Sequence, residues 1–523
     1  MATEGTRETP GPRSAPSRAA TVAALAAVVL VTGLARVPTM RVPLDQDCAV
    51  YTYAAQRWAE GGLPYRDVFD HKPPGIYLVY RLLFAVFSPS GQAVNVTLRV
   101  ASLVTDAAAA IVLFFLARRL FGLWQGVAAG LLYALFAALP GLQYEALQPE
   151  RLVTLFVAAG FLTAVVYMDR RRYWWAALSG LLFGLALVVK PIAAPAGIVV
   201  WAWVSWDAWR RERGGAVKRV VAHSVLLAVG AVLPWGLFAA YFAAKGALEE
   251  FWFCTYAYNA LYATEQRRGG LLRSVQLLVR TKMFEHCFWW ALGAAGVGVS
   301  LWQRGLRRGG VLAAGWLVAA FVGVYMPGQF AYYYYLPTGA PLALAGGVAV
   351  VALAGFVAGR RPLGLRVLVA GAAAVVLVGC LGLCALRQKG HLAWQAAPRT
   401  TNRVVARVAG YIAEHSEAGD RLYVWGSRPQ LYVLSGRRGV CPYLFNFSHN
   451  VALEDAFLFR KEHRERIMAG LRRHEPGFIV ATETRTLEGF PELARYLDEH
   501  YAFVRRWEAK PYAPTLYRRK DAS

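Results

Sequence analysis

Long apolar stretches, one after another and closed by arginines, constrain this chain more than any other feature. A helix needs about 20 predominantly apolar residues to cross a bilayer. Eleven stretches are candidates: roughly 19–37, 97–117, 124–141, 151–168, 173–189, 192–208, 220–243, 286–303, 310–326, 333–357 and 364–386. Composition agrees. Of 523 residues, 57% are hydrophobic and 17% charged, and mean hydropathy is +0.35, whereas a soluble chain carries about 25% charged residues. The aromatic load of 17 Trp, 26 Tyr and 26 Phe excludes a disordered chain. Six Cys spread over this length make no disulfide framework. The expected fold class is a polytopic α-helical membrane protein of about 11 transmembrane helices, with a C-terminal extracytoplasmic α/β domain. Residues 19–37 read as a retained span, not a cleaved signal peptide.

Net charge is +25, from 57 Lys plus Arg against 32 Asp plus Glu. The basic residues lie in short clusters between apolar blocks. That placement speaks for membrane topology and against a nucleic-acid partner. With the N-terminus cytoplasmic, the inner loops hold Arg118-Arg119, Arg170-Arg171-Arg172, Arg210 to Arg219, Arg304 to Arg308, and Arg360-Arg361. Every one is basic, as the positive-inside rule requires. An odd number of spans then puts the C-terminus outside a cell (inner) membrane. The expected division is a cytoplasmic tail at 1–18, a transmembrane domain at 19–386 with a long outer loop at 38–96, and the α/β domain at 387–523. A second outer loop runs over 244–285. In the C-terminal part, Arg421 to Trp425, Phe478 to Ala481 and Tyr501 to Trp507 read as strands. Helices are expected at about 401–415, 459–473 and 490–499.

The first outer loop is the richest in chemistry. It opens Asp45-Gln46-Asp47-Cys48, continues through an amphipathic stretch from Tyr51 to Glu60, and reaches Asp70-His71-Lys72-Pro73-Pro74. A carboxylate within hydrogen-bond reach of a hydroxyl raises its nucleophilicity. An Asp before a helix also caps free amide groups, so both readings stand for Asp45 and Asp47. Only nine of the 57 basic residues are Lys, so Lys72 and Lys190 stand out. A Lys at the membrane surface is a compact phosphate-binding cation or a snorkelling side chain.

The segment PLDQDCAVYTYAAQRWAEGGLPYRDVFDHKPPGIYLVY resembles the first exoplasmic loop of GT-C membrane glycosyltransferases. The nearest groups are bacterial relatives of dolichyl-phosphate-mannose–protein mannosyltransferases and of lipid A aminoarabinose transferases. An acidic pair outside the first helix, then Tyr51, then Asp70-x-Lys72-Pro-Pro carries the likeness. The resemblance implies that Asp47 serves the acceptor hydroxyl as base or orienting group, with Asp45 the other candidate. Cys48 stands where the family often has a second acid. Lys72 matches the lysine that contacts the phosphate of the lipid carrier, and Asp70 and His71 flank it as substrate-binding candidates. Lys190, in Lys190-Pro191, is placed to meet the same phosphate. Glu150 matches a second acid, with Glu145 a weaker candidate. Tyr333 stands where the family usually has His before Leu-Pro, and it suits either a sugar contact or an aromatic belt. Arg267 and Arg268, in the second outer loop, are candidates for a further headgroup contact. Arg99 and Asp106 share one face of the second predicted span and read as an inward structural pair.

The implied activity is sugar transfer from a polyprenyl-phosphate donor to a lipid, glycan or protein of the cell envelope. The leaving group is a lipid phosphate, so no nucleotide cofactor is needed. No second His lies at ligand spacing, so no metal is indicated. The alternatives are a transporter or flippase of a lipid-linked sugar, and a polysaccharide polymerase or ligase. The basic C-terminal part is expected to cover the site and to help choose the acceptor. Its Trp425-Gly426-Ser427-Arg428 reads as a strand-to-helix turn.

Overall fold

The computed structural model describes residues 18–139, 147–211, 214–266, 287–359, 400–444, 461–482, 489–509 and 513–520, with a few single positions between them. In chain order the helices are α1 (Arg18–Arg36), α2 (Gln46–Ala59), α3 (Gly75–Phe87), α4 (Gln92–Leu120), α5 (Leu123–Ala137), α6 (Pro149–Arg170) and α7 (Tyr173–Val189). There follow α8 (Ala194–Arg211), α9 (Ala216–Ala244), α10 (Leu248–Trp252), α11 (Tyr258–Gln266), α12 (Cys287–Trp302), α13 (Arg307–Tyr325) and α14 (Gly339–Ala358). Ten of these fall on ten of the stretches expected to span. The eleventh, 364–386, lies almost wholly outside the described residues.

Among the described residues, six helical stretches are long and apolar enough to cross a membrane: Arg18–Met40, Gln92–Leu120, Pro149–Arg170, Ala216–Ala244, Arg307–Tyr325 and Tyr332–Ala358. The helices α3, α5, α7 and α12 are apolar but shorter. Helix α7 stops at Val189 because Pro191 follows, and the residue before a proline is pushed out of the helical region. The outward face of α9 exposes Val217, Val221, Val225, Val229 and Val232. A continuous apolar stripe turned away from the protein is what lipid contact demands. Basic residues close α4 (Arg118, Arg119), α6 (Arg170) and α8 (Arg210, Arg211), where they also complement the helix dipole.

Arg99 and Asp106 both point inward, as expected, but each finds its partners elsewhere. Asp106 accepts from Arg151 at 2.5 Å and lies 3.6 Å from Arg36. Arg99 donates to the carbonyls of Val42 and Pro43. A seven-residue step is about 10 Å along the axis, so helices α1 and α6 reach Asp106 more easily.

The C-terminal part is α/β. Helix α15 (Thr401–Glu414) leads to strand β1 (Arg421–Trp425), helix α16 (Gln430–Ser435) and the two-residue strand β2 (Arg438–Gly439). Helix α17 (Lys461–His474), β3 (Phe478–Ala481), α18 (Pro491–His500), β4 (Tyr501–Arg506) and β5 (Thr515–Arg519) complete it. The sheet order is β2-β1-β3-β5-β4, parallel across β2, β1 and β3 and antiparallel beyond. Strand β3 is buried at every position, which is why it reads as an unbroken apolar run. The sequence pattern did not predict β2 and β5: one is too short, and the other ends in basic residues. Gly426, just after β1, has φ +126, a conformation open to glycine and closed to most other residues.

Candidate active site

Two arms of the segment between α1 and α4, the start of α6 and the end of α7 meet in one place. The first arm is α2. Asp45 caps it, accepting from the Cys48 amide at 3.0 Å, and its second oxygen is buried without a hydrogen-bond partner. Burial, then the neighbouring Asp47, pushes the Asp45 carboxyl above the usual range. Asp47 lies in the first turn of the same helix, where the dipole favours an acid, and is only half-buried. Tyr333 and Lys190 both interact with it. Asp45 thus has a structural task, while Asp47 keeps a carboxylate accessible at the site.

The second arm is Phe69 to Pro74. Asp70 is buried and accepts from Tyr77 at 2.7 Å and from the His71 amide at 2.8 Å. Burial raises its pKa, and Lys72 works against that rise. The Lys72 ammonium sits 2.8 Å from His71 Nε2. Burial and the charges of Lys72 and Lys190 lower the His71 pKa well below its ordinary value, so the imidazole is neutral and Nε2 accepts from Lys72. Tyr258 and Tyr262 hold the ring, with centroids at 5.3 and 5.4 Å. Asn259 donates to the His71 carbonyl at 2.7 Å. Tyr65 donates to the Lys72 carbonyl at 2.9 Å, from a backbone with φ 74. For a bulky residue that is a strained conformation, held here by packing against Tyr77, Phe242 and Phe251.

Gly75 brings this arm against α7. A Cβ there would stand 2.5 Å from the Val188 carbonyl oxygen, so only glycine allows the approach. Two residues beyond Val188 is Lys190. It is buried, paired with Glu150, and covered by the Tyr334 ring at 3.7 Å from its nitrogen. Tyr333, the residue singled out from sequence, is farther from that nitrogen at 5.7 Å and belongs instead with Asp47. Glu150 stands at the start of α6, immediately before the Arg151 that holds Asp106.

Lys72, Lys190, Asn259, Tyr262 and Tyr334 line one cavity of about 250 Å³. Its remaining wall is largely apolar, from residues such as Ile192, Ala260 and Met326. Two cations in the wall of a largely apolar cleft suit an anionic head on an apolar tail. Among the described residues no group of His, Cys, Asp and Glu is arranged to hold a metal ion. Arg267 and Arg268 lie outside the described residues, as does Glu145. Sequence reasoning missed Tyr258, Asn259, Tyr262 and Tyr334. The four-tyrosine run at 332–335 was the one available signal.

The family described as dolichyl-phosphate-mannose-protein mannosyltransferase matches residues 71–237. That segment runs from His71 and Lys72 through Glu150 and Lys190 but leaves out Asp45 and Asp47. No curated protein matches the chain in sequence. Among solved structures, ArnT from Cupriavidus metallidurans bound to undecaprenyl phosphate is similar, at TM-score 0.59 and 15% identity. The match covers 97% of this chain and 99% of that one. The archaeal oligosaccharyltransferase AglB from Archaeoglobus fulgidus, in complex with an inhibitory peptide and a dolichol-phosphate, matches at TM-score 0.55 and 12% identity. It covers 94% of this chain and 74% of that one. The chain therefore has the fold of the GT-C membrane glycosyltransferases, with the pattern of the dolichyl-phosphate-mannose-protein mannosyltransferase family across residues 71–237.

Proposed function

We propose that the protein is an integral-membrane glycosyltransferase that moves a sugar from a polyprenyl-phosphate donor to an acceptor hydroxyl at the outer face of the membrane. The observation that carries this reading is the cavity that Lys72 and Lys190 line together with mostly apolar and aromatic residues, with Asp47 within electrostatic reach of Lys190. The undecaprenyl phosphate of ArnT and the dolichol-phosphate of AglB lend support. In the proposed reaction the bond from the sugar's anomeric carbon to the phosphate oxygen breaks. The acceptor oxygen bonds to that carbon and gives its proton to Asp47. The lipid phosphate leaves with its charge stabilised by Lys72 and Lys190, a preorganised cation pair of the kind that lowers such barriers. Glu150 and the Tyr334 ring hold Lys190 in place, and neutral His71 holds Lys72. Asp45, Asp70 and Tyr333 remain candidates for contacts to sugar or acceptor, and Arg267 and Arg268 for the headgroup. The donor class, hexosyl or pentosyl, is left to experiment.

The basic inner loops support an N-terminus in the cytoplasm and the site outside, in the cell inner membrane, with residues 387–523 forming an extracytoplasmic domain. Reporter fusions in the 118–123 loop should read cytoplasmic and fusions after residue 400 periplasmic. The test of function is a titration of the purified full-length protein with undecaprenyl phosphate, paired with a transfer assay from a polyprenyl-phosphate sugar in its own membranes. Saturable binding lost in Lys72→Ala, with transfer lost in Asp47→Asn, is the expected result. Binding without any transfer by the parent protein would favour a carrier of lipid-linked sugars instead.

A further inference from the structure

The chemistry above is confined to the outer loop and the helix ends, yet the C-terminal α/β part touches that loop closely. Helix α2 presents two faces. Gln46, Tyr53 and Glu60 recur every seven residues and so form one stripe. Asp47, Tyr51 and Trp58 lie about 100–140° round the helix from Gln46, at 3.6 residues per turn.

The first stripe is gripped by residues 428–443, and Glu60 also pairs with Arg57 of its own helix. Arg428, buried in the turn after β1, donates to Gln46 Oε1 at 3.4 Å. The buried Gly439 amide donates to the Tyr53 hydroxyl at 2.8 Å, and the Tyr53 ring packs on Tyr432 at 5.4 Å between centroids. Arg438 pairs with Glu60 at 2.8 Å. The same segment also takes hold of the second arm. The Phe69 amide, one residue before Asp70, donates to the Pro442 carbonyl at 2.9 Å, and the Phe69 ring lies 5.9 Å from Tyr443. One stretch of the C-terminal part therefore holds both the helix that carries Asp47 and the arm that carries Lys72.

We propose that segment 428–443 sets the rotation of α2, so that Tyr53 and Arg428 are positioning residues for Asp47. This inference rests on the reading of Asp47 as the group that takes the acceptor proton. The physical argument is leverage. The Asp47 side chain meets Tyr333 and Lys190, and a rigid helix transmits a rotation fixed at Gln46, Tyr53 and Glu60 to the backbone that carries it. The C-terminal part then belongs to the catalytic apparatus as its alignment. The contribution of Tyr53 and Arg428 falls on the transfer step, whereas the hold on the Lys72 arm passes through Pro442 and Tyr443.

The test uses the full-length protein in lipid nanodiscs, with undecaprenyl phosphate as the binding probe and transfer from a polyprenyl-phosphate sugar as the rate. Tyr53→Phe removes only a hydroxyl. It should lower the transfer rate about ten- to a hundredfold, the scale set by a misplaced reacting group, while the undecaprenyl phosphate Kd stays at the parent value. Glu60→Arg should lose rate, and adding Arg438→Glu should restore it. Full-rate transfer by Tyr53→Phe overturns the proposal, as does an equal fall in rate and phosphate binding. If the parent binds undecaprenyl phosphate and transfers nothing, the functional reading fails, and amide exchange then decides the alignment. Faster exchange across residues 46–59 in Tyr53→Phe, with α3 unchanged, upholds the grip on α2; identical exchange overturns it.

Discussion

Two clusters of charge lie within a few residues of each other along α6, and they are built oppositely. The cluster inside the helix bundle joins Arg36, Asp106 and Arg151, whose side chains are essentially sealed from solvent. One carboxylate there serves two guanidiniums from different helices, and Ser102 accepts from Arg36. The cluster at the candidate active site, the outer cluster of the proposed topology, joins Asp47, Lys72, Lys190 and Glu150. It is looser: Asp47 and Lys72 are only half-buried, and an open cavity passes both lysines. Ionisable groups at membrane depth are functional candidates by default. The comparison narrows that rule. Charges that pair with one another inside the bundle hold helices together. Charges left partly unspent beside a cavity are the functional candidates.

The largest effect should come from the sealed cluster. Asp106→Ala leaves Arg36 and Arg151 uncompensated among packed helices, and breaking a buried pair in this way costs about 3–5 kcal/mol. Most of a domain's stability is of that order, so the variant should fail to accumulate as folded protein in the membrane. Normal yield and thermal stability of Asp106→Ala would erase the distinction between the two clusters.

Asp47→Asn should leave folding intact and act on chemistry alone. We expect transfer to fall about a hundredfold or more, the usual scale for a lost general base, with undecaprenyl phosphate binding retained. Unchanged transfer would move the role to Asp45 or Glu150. Lys72→Ala should weaken undecaprenyl phosphate binding about tenfold or more, because a hydrogen bond to a charged group is worth about 1.5–3 kcal/mol. Lys72→Arg should recover part of it, since Arg keeps the charge but offers a planar fork. An unaltered phosphate affinity in Lys72→Ala would remove the ligand from this cavity.

How far the two clusters could be told apart from sequence depends on distance along the chain. The helices were legible because each needs only its own residues: apolar stretches, basic ends, a proline after Val189. Lys72 and Lys190 stood out because lysine is scarce in this chain, whereas Asp47 and Glu150 stood out through the family resemblance. Their partners did not. Tyr258 and Tyr262 lie some 190 residues from the His71 they enclose, and nothing local in an aromatic-rich loop marks them. The Asp106 cluster was misjudged for the same reason. Helical spacing pointed to Arg99, whereas tertiary packing supplied Arg36 and Arg151 from two other helices. Gly75 was invisible as well, because its role is an approach to Val188 across the fold.

The smallest expected effect is a pH dependence, and it separates the clusters by what each can titrate. In the sealed cluster two arginines face one carboxylate, and an arginine stays charged at any working pH. The outer cluster contains His71, faced by Asp70, Lys72 and Lys190 and by the rings of Tyr258 and Tyr262. Its pKa is lowered first by burial and then by the two lysines. The unfolded chain therefore takes up the proton at a pH where the folded chain does not. Stability rises with pH wherever the unfolded state binds more protons. The contribution of His71 is thus complete above its ordinary pKa of about 6.5 and declines as pH falls below that value. Asp70, with its pKa raised by burial, acts with the opposite sign between the ordinary carboxylate pKa of about 3.9 and its folded value. A melting series from pH 8 to pH 5 should show a modest loss of stability below about pH 6.5, and His71→Gln should flatten it. Amide Nε2 in the Gln carries protons, so that variant should also release Lys72 unless its carboxamide oxygen turns toward the ammonium. An acid-induced loss of equal size in His71→Gln would show that other groups, and not the imidazole under Lys72, set the acid limit of the site.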